Sequence, residues 1–310
     1  MLFRKKYILA KIESTYGADS SPVGSNAILT KNLSITPYAG NTVGRDLDRE
    51  ALGNDELINT GANVQCSFEV ELAGSGAAGT APAYGVLLRA CGLSETVTAL
   101  VDTVYQPVSS AFESASLHYI IDGQLHKILG ARGSVSFSLN REQIPIMSFN
   151  FTGLYAKPVA AGAITPDWSN FQTPLPVTKA NTPTFTIGAY AANAEAFSFD
   201  LANNVVYRNV VNNEGVIITD RAPAGNFTVE APALATKDFF TAVESHNGVT
   251  TQAIQVIHGT VAGNICQFDG ATVQLSGLSM QDSDGLLTYS MDARYIPTDA
   301  GDDEWTLTIK

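Results

Sequence analysis

The sequence is short of the features that mark disulfide-rich and membrane-spanning proteins. Its three cysteines, Cys66, Cys91 and Cys266, are too few and too widely spaced for a disulfide framework or a cysteine-rich metal site. Residues 1–10 begin like a signal peptide, but Lys11 and Glu13 cut the apolar run short. No run approaches the roughly 18 apolar residues of a spanning helix. We therefore expect a soluble chain that is made in a reducing cytoplasm.

Positive charge is also scarce. Lysine and arginine together number 18 against 30 aspartates and glutamates, which gives a net charge of −12 and argues against binding of nucleic acid through a basic surface. Charged residues make up only 15% of the chain, so uncharged polar groups must cover much of the surface. Because 45% of the residues are hydrophobic, intrinsic disorder is excluded. The length fits two domains or one large β architecture.

Helical periodicity is rare, and most of the chain alternates apolar and polar residues. Residues 65–72, 134–139 and 272–278 show this period of two, which predicts strands with one buried face and one wet face. Only residues 83–91 and 236–246 have a helical pattern, each followed by a glycine. The sequence therefore predicts a mainly β fold with two helices.

Motifs that carry chemistry are few and weak. Residues 74–79, GSGAAG, fit a dinucleotide-binding fingerprint, but the strand before them alternates and no βαβ series follows. The histidines, among them His118 and His258, lack metal-ligand spacing, and residues 282–285, DSDG, read better as a hairpin turn than as a calcium loop. We predict no catalytic residue, no cofactor and no metal site.

Two parts of the sequence resemble each other. Residues 117–155 match residues 257–295 at six positions without gaps, including His118 with His258 and Tyr155 with Tyr295. Upstream, residues 33–39 resemble 185–191, and residues 68–71 resemble 227–230. A proline-rich segment at 156–184 separates the two copies. This pattern predicts a tandem duplication: an arm at 1–27, a first domain at 28–157, a linker at 158–183 and a second domain at 184–310.

The first 60 residues carry a family resemblance. Residues 11–19 (KIESTYGAD), 26–30 (NAILT) and 33–37 (LSITP), with the loop around Arg49 and Gly53, resemble the major tail tube proteins of long-tailed, siphovirus-like bacteriophages. That family implies a small β-sandwich or β-barrel domain with a flanking helix, similar in fold to the type VI secretion tube protein. Single-domain members are about half as long as this chain, a difference that a duplication explains.

The resemblance implies a structural protein and not an enzyme. Its domains join their strands into a closed inner β-barrel ring, and three two-domain chains would form a homotrimer with pseudo-sixfold symmetry. Rings would stack into a tube in the virion tail, assembled in the host cytoplasm as a late protein, with tape measure, tail tip and tail terminator proteins as partners and no membrane contact. Genomic DNA would pass without specific binding during DNA ejection.

Two groups of candidate site residues follow from the resemblance. A long loop after the first strands, which corresponds by position to residues 41–61, would dock on the next ring. Its charged and polar residues are Arg45, Asp46, Asp48, Arg49, Asn54, Asp55 and Glu56. Acids on alternate strand positions would line the lumen and repel phosphates, and the candidates are Glu69, Glu71, Glu142, Glu230 and Asp292. The alternative functions are another β-rich phage structural protein or a carbohydrate-binding adhesin that uses Trp168 or Trp305 as an aromatic platform.

Overall fold

The computed structural model describes residues 2–310, and strands dominate it. The first part of the chain contains twelve strands and one helix. They are β1 (Lys6–Ile12), β2 (Ala27–Ile28), β3 (Lys31–Ala39), β4 (Thr42–Gly44), β5 (Leu57–Asn59), β6 (Asn63–Glu71), α1 (Gly85–Ala90), β7 (Leu93–Thr98), β8 (Asp102–Pro107), β9 (Ala115–Ile121), β10 (Gln124–Asn140), β11 (Ile146–Tyr155) and β12 (Val159–Ala160).

The second part contains ten strands and one helix. They are β13 (Thr184–Ile187), β14 (Tyr190–Ala191), β15 (Ala194–Asp200), β16 (Asn203–Val210), β17 (Asn213–Arg221), β18 (Ala224–Glu230), α2 (Phe239–Val243), β19 (Thr251–His258), β20 (Cys266–Ser283), β21 (Leu286–Tyr295) and β22 (Thr306–Ile309). The mainly β prediction is confirmed. Both helices lie inside the predicted stretches but are shorter, and the Asp238 carboxylate caps α2 by accepting from the Phe240 and Thr241 amides.

Eight strands form a continuous antiparallel row at the centre of the fold. Their order is β3, β6, β11, β10, β15, β18, β21 and β20. The row joins the two parts of the chain where β10 pairs with β15, with Phe137 opposite Phe199 and Ser138 opposite Ser198. Hydrophobic alternation sets this register because a slip of one residue would move every phenylalanine of β15 to the wet face.

Strand order is the same in the two parts of the chain. The strands β3, β6, β11 and β10 are followed in the row by β15, β18, β21 and β20. The strand β15 therefore pairs with β18 in the second group as β3 pairs with β6 in the first. Residues 33–39 and 185–191 are similar in sequence, but they do not hold the same place in the strand order. Residues 33–39 belong to β3, which pairs with β6, whereas β13 pairs with β19 and not with β18. Short stretches of alternating residues resemble one another by composition alone, and pairing decides which strands correspond.

The pairings beyond the row branch and do not close on themselves within residues 2–310. The first half of β10 pairs with β9 and β12, and β9 pairs with β1. The first half of β20 pairs with β19 and β22, and β22 pairs with β8. A single chain therefore holds an open sheet. Residues 6–12, in the predicted N-terminal arm, are the strand β1, in which Ile8 and Leu9 are fully buried.

One aromatic cluster joins the two parts of the chain in the core. Phe137 of β10 packs against Phe199 at 5.9 Å and against Trp305 at 6.1 Å between ring centroids, and Phe268 stacks on Trp305 at 5.5 Å. Trp305 is fully buried, so the expectation that it could serve as an exposed carbohydrate platform is wrong. Trp168 is 40% exposed. The cluster draws its rings from strands far apart in sequence.

Two Asp-Gly turns close the long hairpins, and the turn within residues 282–285 was predicted from the sequence. Asp284 and Gly285 between β20 and β21 have φ of 54° and 85°, and Asp122 and Gly123 between β9 and β10 have φ of 40° and 92°. Positive φ at both central positions suits the twist of an antiparallel hairpin, and glycine adopts it without strain. The Asp282 carboxylate accepts from the Gly285 amide at 2.7 Å, which fixes the turn.

Candidate assembly surfaces

The eight-strand row has one apolar and one polar face. Phe68, Val70, Phe149, Phe227 and Met291 are buried on the apolar face. Alternation places Ser67, Ser148, Ser198 and Asn226 on the opposite face, together with four of the predicted acids, Glu69, Glu71, Glu230 and Asp292. The polar face therefore carries acids dispersed among small uncharged side chains.

Amide side chains hold three of these carboxylates. Asn32 donates to Glu69 at 2.9 Å, Asn193 donates to Glu230 at 2.6 Å, and Asn226 donates to Asp292 at 3.0 Å. Glu71 is different because it pairs with the ammonium of Lys31. Neutral donors leave the negative charge of a carboxylate in place, so three of the four acids keep an uncompensated charge on this face.

Glu142 lies outside the strands. It occupies the connection between β10 and β11 with a φ of 62°, where the direction of its side chain does not follow strand alternation. Asp200, which was not among the predicted acids, lies on the polar face because it follows the buried Phe197 and Phe199 in alternation. That alternation was available in the sequence as a signal for Asp200.

The row ends in two strands that each pair on one edge only. Within residues 2–310, β3 pairs with β6 alone, and residues 277–283 of β20 pair with β21 alone. Each therefore presents backbone N–H and C=O groups at a free edge, which is a template for another strand. Sequence alternation located these strands but not their free edges, because strand order depends on pairing across the chain.

Residues 41–61, the predicted docking loop, form the small hairpin β4–β5 with a charged tip. Arg45 pairs with Glu56 at 3.4 Å and Arg49 pairs with Asp55 at 2.5 Å, so the arginines are matched inside the loop. Its strands pair only with each other among the described residues. The loop thus projects as a unit whose shape is set by its own ion pairs.

A second hairpin, β16–β17, occupies the corresponding place between β15 and β18 and is docked on the first part of the chain. Arg132 of β10 donates to the Val216 carbonyl at 2.8 Å, and the Val216 amide donates to the Tyr16 hydroxyl at 2.5 Å. At its base, Arg221 donates to Glu304 at 2.6 Å and to Asp302 at 3.0 Å. The sequence analysis did not predict this hairpin.

The motif KIESTYGAD ties the start of the chain to this arrangement. The buried Glu13 carboxylate accepts from the amides of Gly17 and Gly130, both at 2.8 Å, and from the hydroxyls of Ser114 and Ser116. Tyr16 reaches the β16–β17 hairpin, as described above. The residues that carry the family resemblance therefore hold the bend of β10 and the neighbouring hairpin in place.

Asp19, at the end of that motif, is part of a partly buried polar cluster. Its carboxylate contacts His118 Nε2 and Lys127 Nζ, each at 2.8 Å. Burial acts to raise the pKa of Asp19, but the hydrogen bonds from Lys127 and Ser21 and the nearby His118 leave it below its ordinary value. Burial lowers the pKa of His118. His118 and His258 are both buried and hydrogen-bonded, as expected of structural imidazoles.

The glycine-rich residues 74–79 pack against the second part of the chain. The Gly76 amide donates to the Gly263 carbonyl at 2.8 Å, and the Gly74 amide donates to Asn264 at 2.7 Å. A Cβ on Gly74 would lie 2.1 Å from the Gly263 oxygen, so the glycine permits a close approach of two backbones. The motif has a packing role between distant loops.

No helix between residues 2 and 310 is long and apolar enough to cross a membrane. Over the same residues, no cluster of three or more histidine, cysteine or acidic side chains has the geometry to hold a metal ion. The three cysteines are free and buried, and burial raises the pKa of Cys66 and of Cys266 to about 12.

Comparison with known families agrees with this arrangement. Curated proteins gave no significant match. A family model described as phage tail tube protein matches residues 4–303, which is nearly the whole chain. The match covers the eight-strand row, both hairpins and both helices. The chain belongs to the phage tail tube protein family, a family of structural components of the virion tail and not of enzymes.

Proposed function

We propose that three copies of this tail tube subunit close into one ring, and that rings stack into the tube. The observation that carries the proposal is the pair of free edges at the two ends of the eight-strand row. Joining β20 of one copy to β3 of the next removes both edges at once, and closure is the complete remedy for exposed strand edges. Each copy of the chain would thereby pair with another copy at both ends of its row.

The junction of β10 with β15 supports this pairing because it joins the two parts of the chain in the same way. Strands β10 and β20 both end their four-strand group, and β15 and β3 both begin one. Ser138 of β10 and Gln281 of β20 hold equivalent positions, because the same succession of cross-strand pairs leads to each of them within its four-strand group. By the same comparison, Ser198 of β15 is equivalent to Ser34 of β3. Since Ser138 pairs with Ser198, Gln281 of one copy would lie opposite Ser34 of the next.

Eight strands from each of three copies would give a barrel of about 24 strands. With strands about 4.7 Å apart and tilted by about 45°, its backbone radius is about 25 Å, which leaves a bore on the order of 40 Å. The repeated strand order supports a tandem duplication, with residues 28–157 and 184–310 as two tube domains, residues 158–183 as the linker and pseudo-sixfold symmetry in the ring.

The polar face of the row would line the bore. Its acids Glu69, Glu71, Glu230 and Asp292, together with Asp200, would present negative charge to DNA, whose phosphates would be repelled. Genomic DNA would then pass without specific binding. Glu142 would lie at a rim of the ring because it occupies a turn at the end of two row strands.

The charged tip of the β4–β5 hairpin would contact the next ring in the tail. Arg45, Asp46, Asp48, Arg49, Asn54, Asp55 and Glu56 all belong to this tip. The tape measure, tail tip and tail terminator proteins would be the other partners in the virion, and assembly would take place in the host cytoplasm before DNA ejection.

Electron microscopy of purified assemblies tests the proposal. Class averages down the axis should show threefold symmetry modulated at six positions, and native mass measurement of single rings should give three chains. A short cross-linker between Ser34→Cys and Gln281→Cys should join neighbouring copies. A chain that stays monomeric at high concentration and in the presence of tail tip proteins would contradict it, and so would rings of six chains.

A further inference from the structure

The β4–β5 hairpin exposes an unusual amount of apolar surface for a charged loop. Val43, Leu47, Leu52, Leu57 and Ile58 all have exposed side chains, and the exposed fraction of Leu57 is 72%. Large apolar groups concentrated on one projecting element mark a contact surface more often than a solvated loop. The ion pairs of the tip do not cover them.

The β16–β17 hairpin shows what such a loop does when its contact surface is present in the same chain. Val216 is fully buried, and Arg132 and Tyr16 hold its backbone as described above. Ile218 is also buried, close to Gly92. The hairpin leaves the row after β15 and packs against β10, around Arg132 in the middle of that strand, and against β11, the strands of the preceding four-strand group.

Leu57 and Val216 hold corresponding positions in the two hairpins. They are separated by the same 159 positions as Phe68 and Phe227, whose strands β6 and β18 hold matching places in the row. The exposed fraction is 0% for Val216 but 72% for Leu57. The difference follows from what precedes each hairpin: β15 has β10 beside it, whereas the free edge of β3 has no neighbour in the chain.

The surface that would receive the β4–β5 hairpin is present and uncovered at the other end of the row. The β16–β17 hairpin packs near the cross-strand pair Arg132–Thr152, and the corresponding pair in the second part of the chain is Gln274–Arg294. This second pair borders an open cavity of about 750 Å³. Arg294 is exposed and makes no ion pair among residues 2–310.

We infer that the base of the β4–β5 hairpin of one copy lies in the Gln274–Arg294 cavity of the neighbouring copy in the same ring. This inference rests on the ring of the proposed function. Leu57 packs there as Val216 packs against β10 and β11. The charged tip extends past this contact, so one hairpin joins copies within a ring at its base and reaches the next ring at its tip.

Cross-linking of assembled tubes tests the contact. Leu57→Cys combined with Gln274→Cys, treated with a short bis-maleimide, should give covalent species that end at three chains, because a contact within a ring closes on itself. The native cysteines are buried and do not compete. Leu57→Cys combined with Leu100→Cys, whose site is exposed in the β7–β8 turn, is the matched control and should give no trimer.

The outcomes separate this inference from the proposed function. Tubes that form normally but give no Leu57–Gln274 cross-link overturn the inference and leave the ring standing. Covalent species longer than three chains also overturn it, because they place the cavity contact between rings. Failure to form any ring contradicts the proposed function, and the inference falls with it.

A substitution gives an independent measurement. Leu57→Ser should leave the melting temperature of the unassembled chain unchanged, since Leu57 is already exposed, but should raise the concentration needed for ring formation about tenfold. Val216→Ser is the contrast, because it should lower the melting temperature of the single chain. A normal assembly threshold for Leu57→Ser would contradict the inferred contact.

Discussion

At the scale of the residue, a few polar groups fix features of the fold that apolar packing does not specify, namely the bend of β10 and the position of the β16–β17 hairpin. Glu13 satisfies four donors at the place where β10 bends. Arg132 and Tyr16 connect that place to Val216 of the β16–β17 hairpin, which lies 84 residues from Arg132 and 200 residues from Tyr16 in sequence. The motif that gives the family resemblance is therefore structural in this chain. Its residues form hydrogen bonds with groups that are distant in sequence and come close only in the folded chain.

The Glu13 carboxylate offers the first test at this scale. Glu13→Gln replaces one accepting oxygen by an amide that must face backbone or hydroxyl donors, so we expect a loss of about 2 kcal/mol in the free energy of unfolding. Urea denaturation of the unassembled chain measures it. Glu50→Gln, at an exposed position of the docking loop, is the control, and equal stabilities of the two variants would contradict the role of Glu13.

His258 predicts a dependence of stability on pH. The Leu175 carbonyl can only accept, so Nε2 carries the proton and Nδ1 accepts from Thr182. Burial lowers the pKa of the imidazole, although the bond to Leu175 acts in the opposite direction. The neutral ring therefore contributes stability that is complete above the ordinary pKa of 6.5 and is lost as pH falls toward the folded value.

Replacing His258 should reduce the loss of stability that occurs as pH falls. His258→Gln should make the melting temperature of the unassembled chain less dependent on pH between about pH 7 and pH 5 than that of the parent chain. His246→Gln is the control, because His246 is exposed. A parent-like pH profile for His258→Gln would show that this imidazole does not supply the effect.

At the scale of the element, what matters is which strand edges and hairpins have partners. Strand β10 has neighbours on both sides along its second half, whereas the second half of β20 has one. The β16–β17 hairpin is docked and the β4–β5 hairpin is not. Both contrasts are between elements that hold matching places in the strand order. In each case one element has its partner within the chain, whereas the matching element has a free edge or an exposed surface.

Proline substitutions at Met280 and Gln281 should separate folding from assembly. Successive N–H groups in a strand point to opposite edges, so one of the two prolines removes a donor to β21 and the other removes a donor at the free edge. We expect the first to lower the melting temperature of the single chain and the second to abolish tubes with little change in melting temperature. Microscopy and thermal denaturation of both variants decide it, and tube formation by both would contradict assembly through this edge.

The charged tip of the β4–β5 hairpin can be tested without unfolding the loop. Arg45→Glu combined with Glu56→Arg preserves the ion pair within the loop but exchanges its charges. We expect shorter tubes and greater sensitivity to salt while single rings still form, because the charges presented to the next ring are reversed. Tubes of normal length and salt resistance would refute the role of the tip in stacking.

At the scale of the whole molecule, the chain is an open row with two unlike faces and one free strand edge at each end. The apolar face is covered by helices and outer strands of the same chain, whereas the polar face carries acids held by neutral amides. Closing the row would place the polar face around a bore. The net negative charge, which argued against binding of nucleic acid through a basic surface, would then favour unhindered passage of DNA.

Reversal of charge on the polar face tests this role. Tubes assembled from Glu230→Lys combined with Asp292→Lys should retain duplex DNA at low salt, whereas parent tubes should not, because lysines attract phosphates at the positions where the acids repel them. Asp299→Lys, on an exposed loop away from the row, is the matched control. DNA retention equal to that of the control would show that Glu230 and Asp292 do not face the bore.

The sequence by itself determined the period of two, the mainly β fold, the two helices, the Asp-Gly turns and the alternate positions of Glu69, Glu71, Glu230 and Asp292, because these depend on residues close together in the chain. Only the tertiary structure decided that β15 and not β13 pairs with β18, that Trp305 is buried, that Glu142 lies in a turn and that two strand edges remain free. Strand order and burial depend on contacts between distant residues, and alternation sets only which side of a strand faces inward.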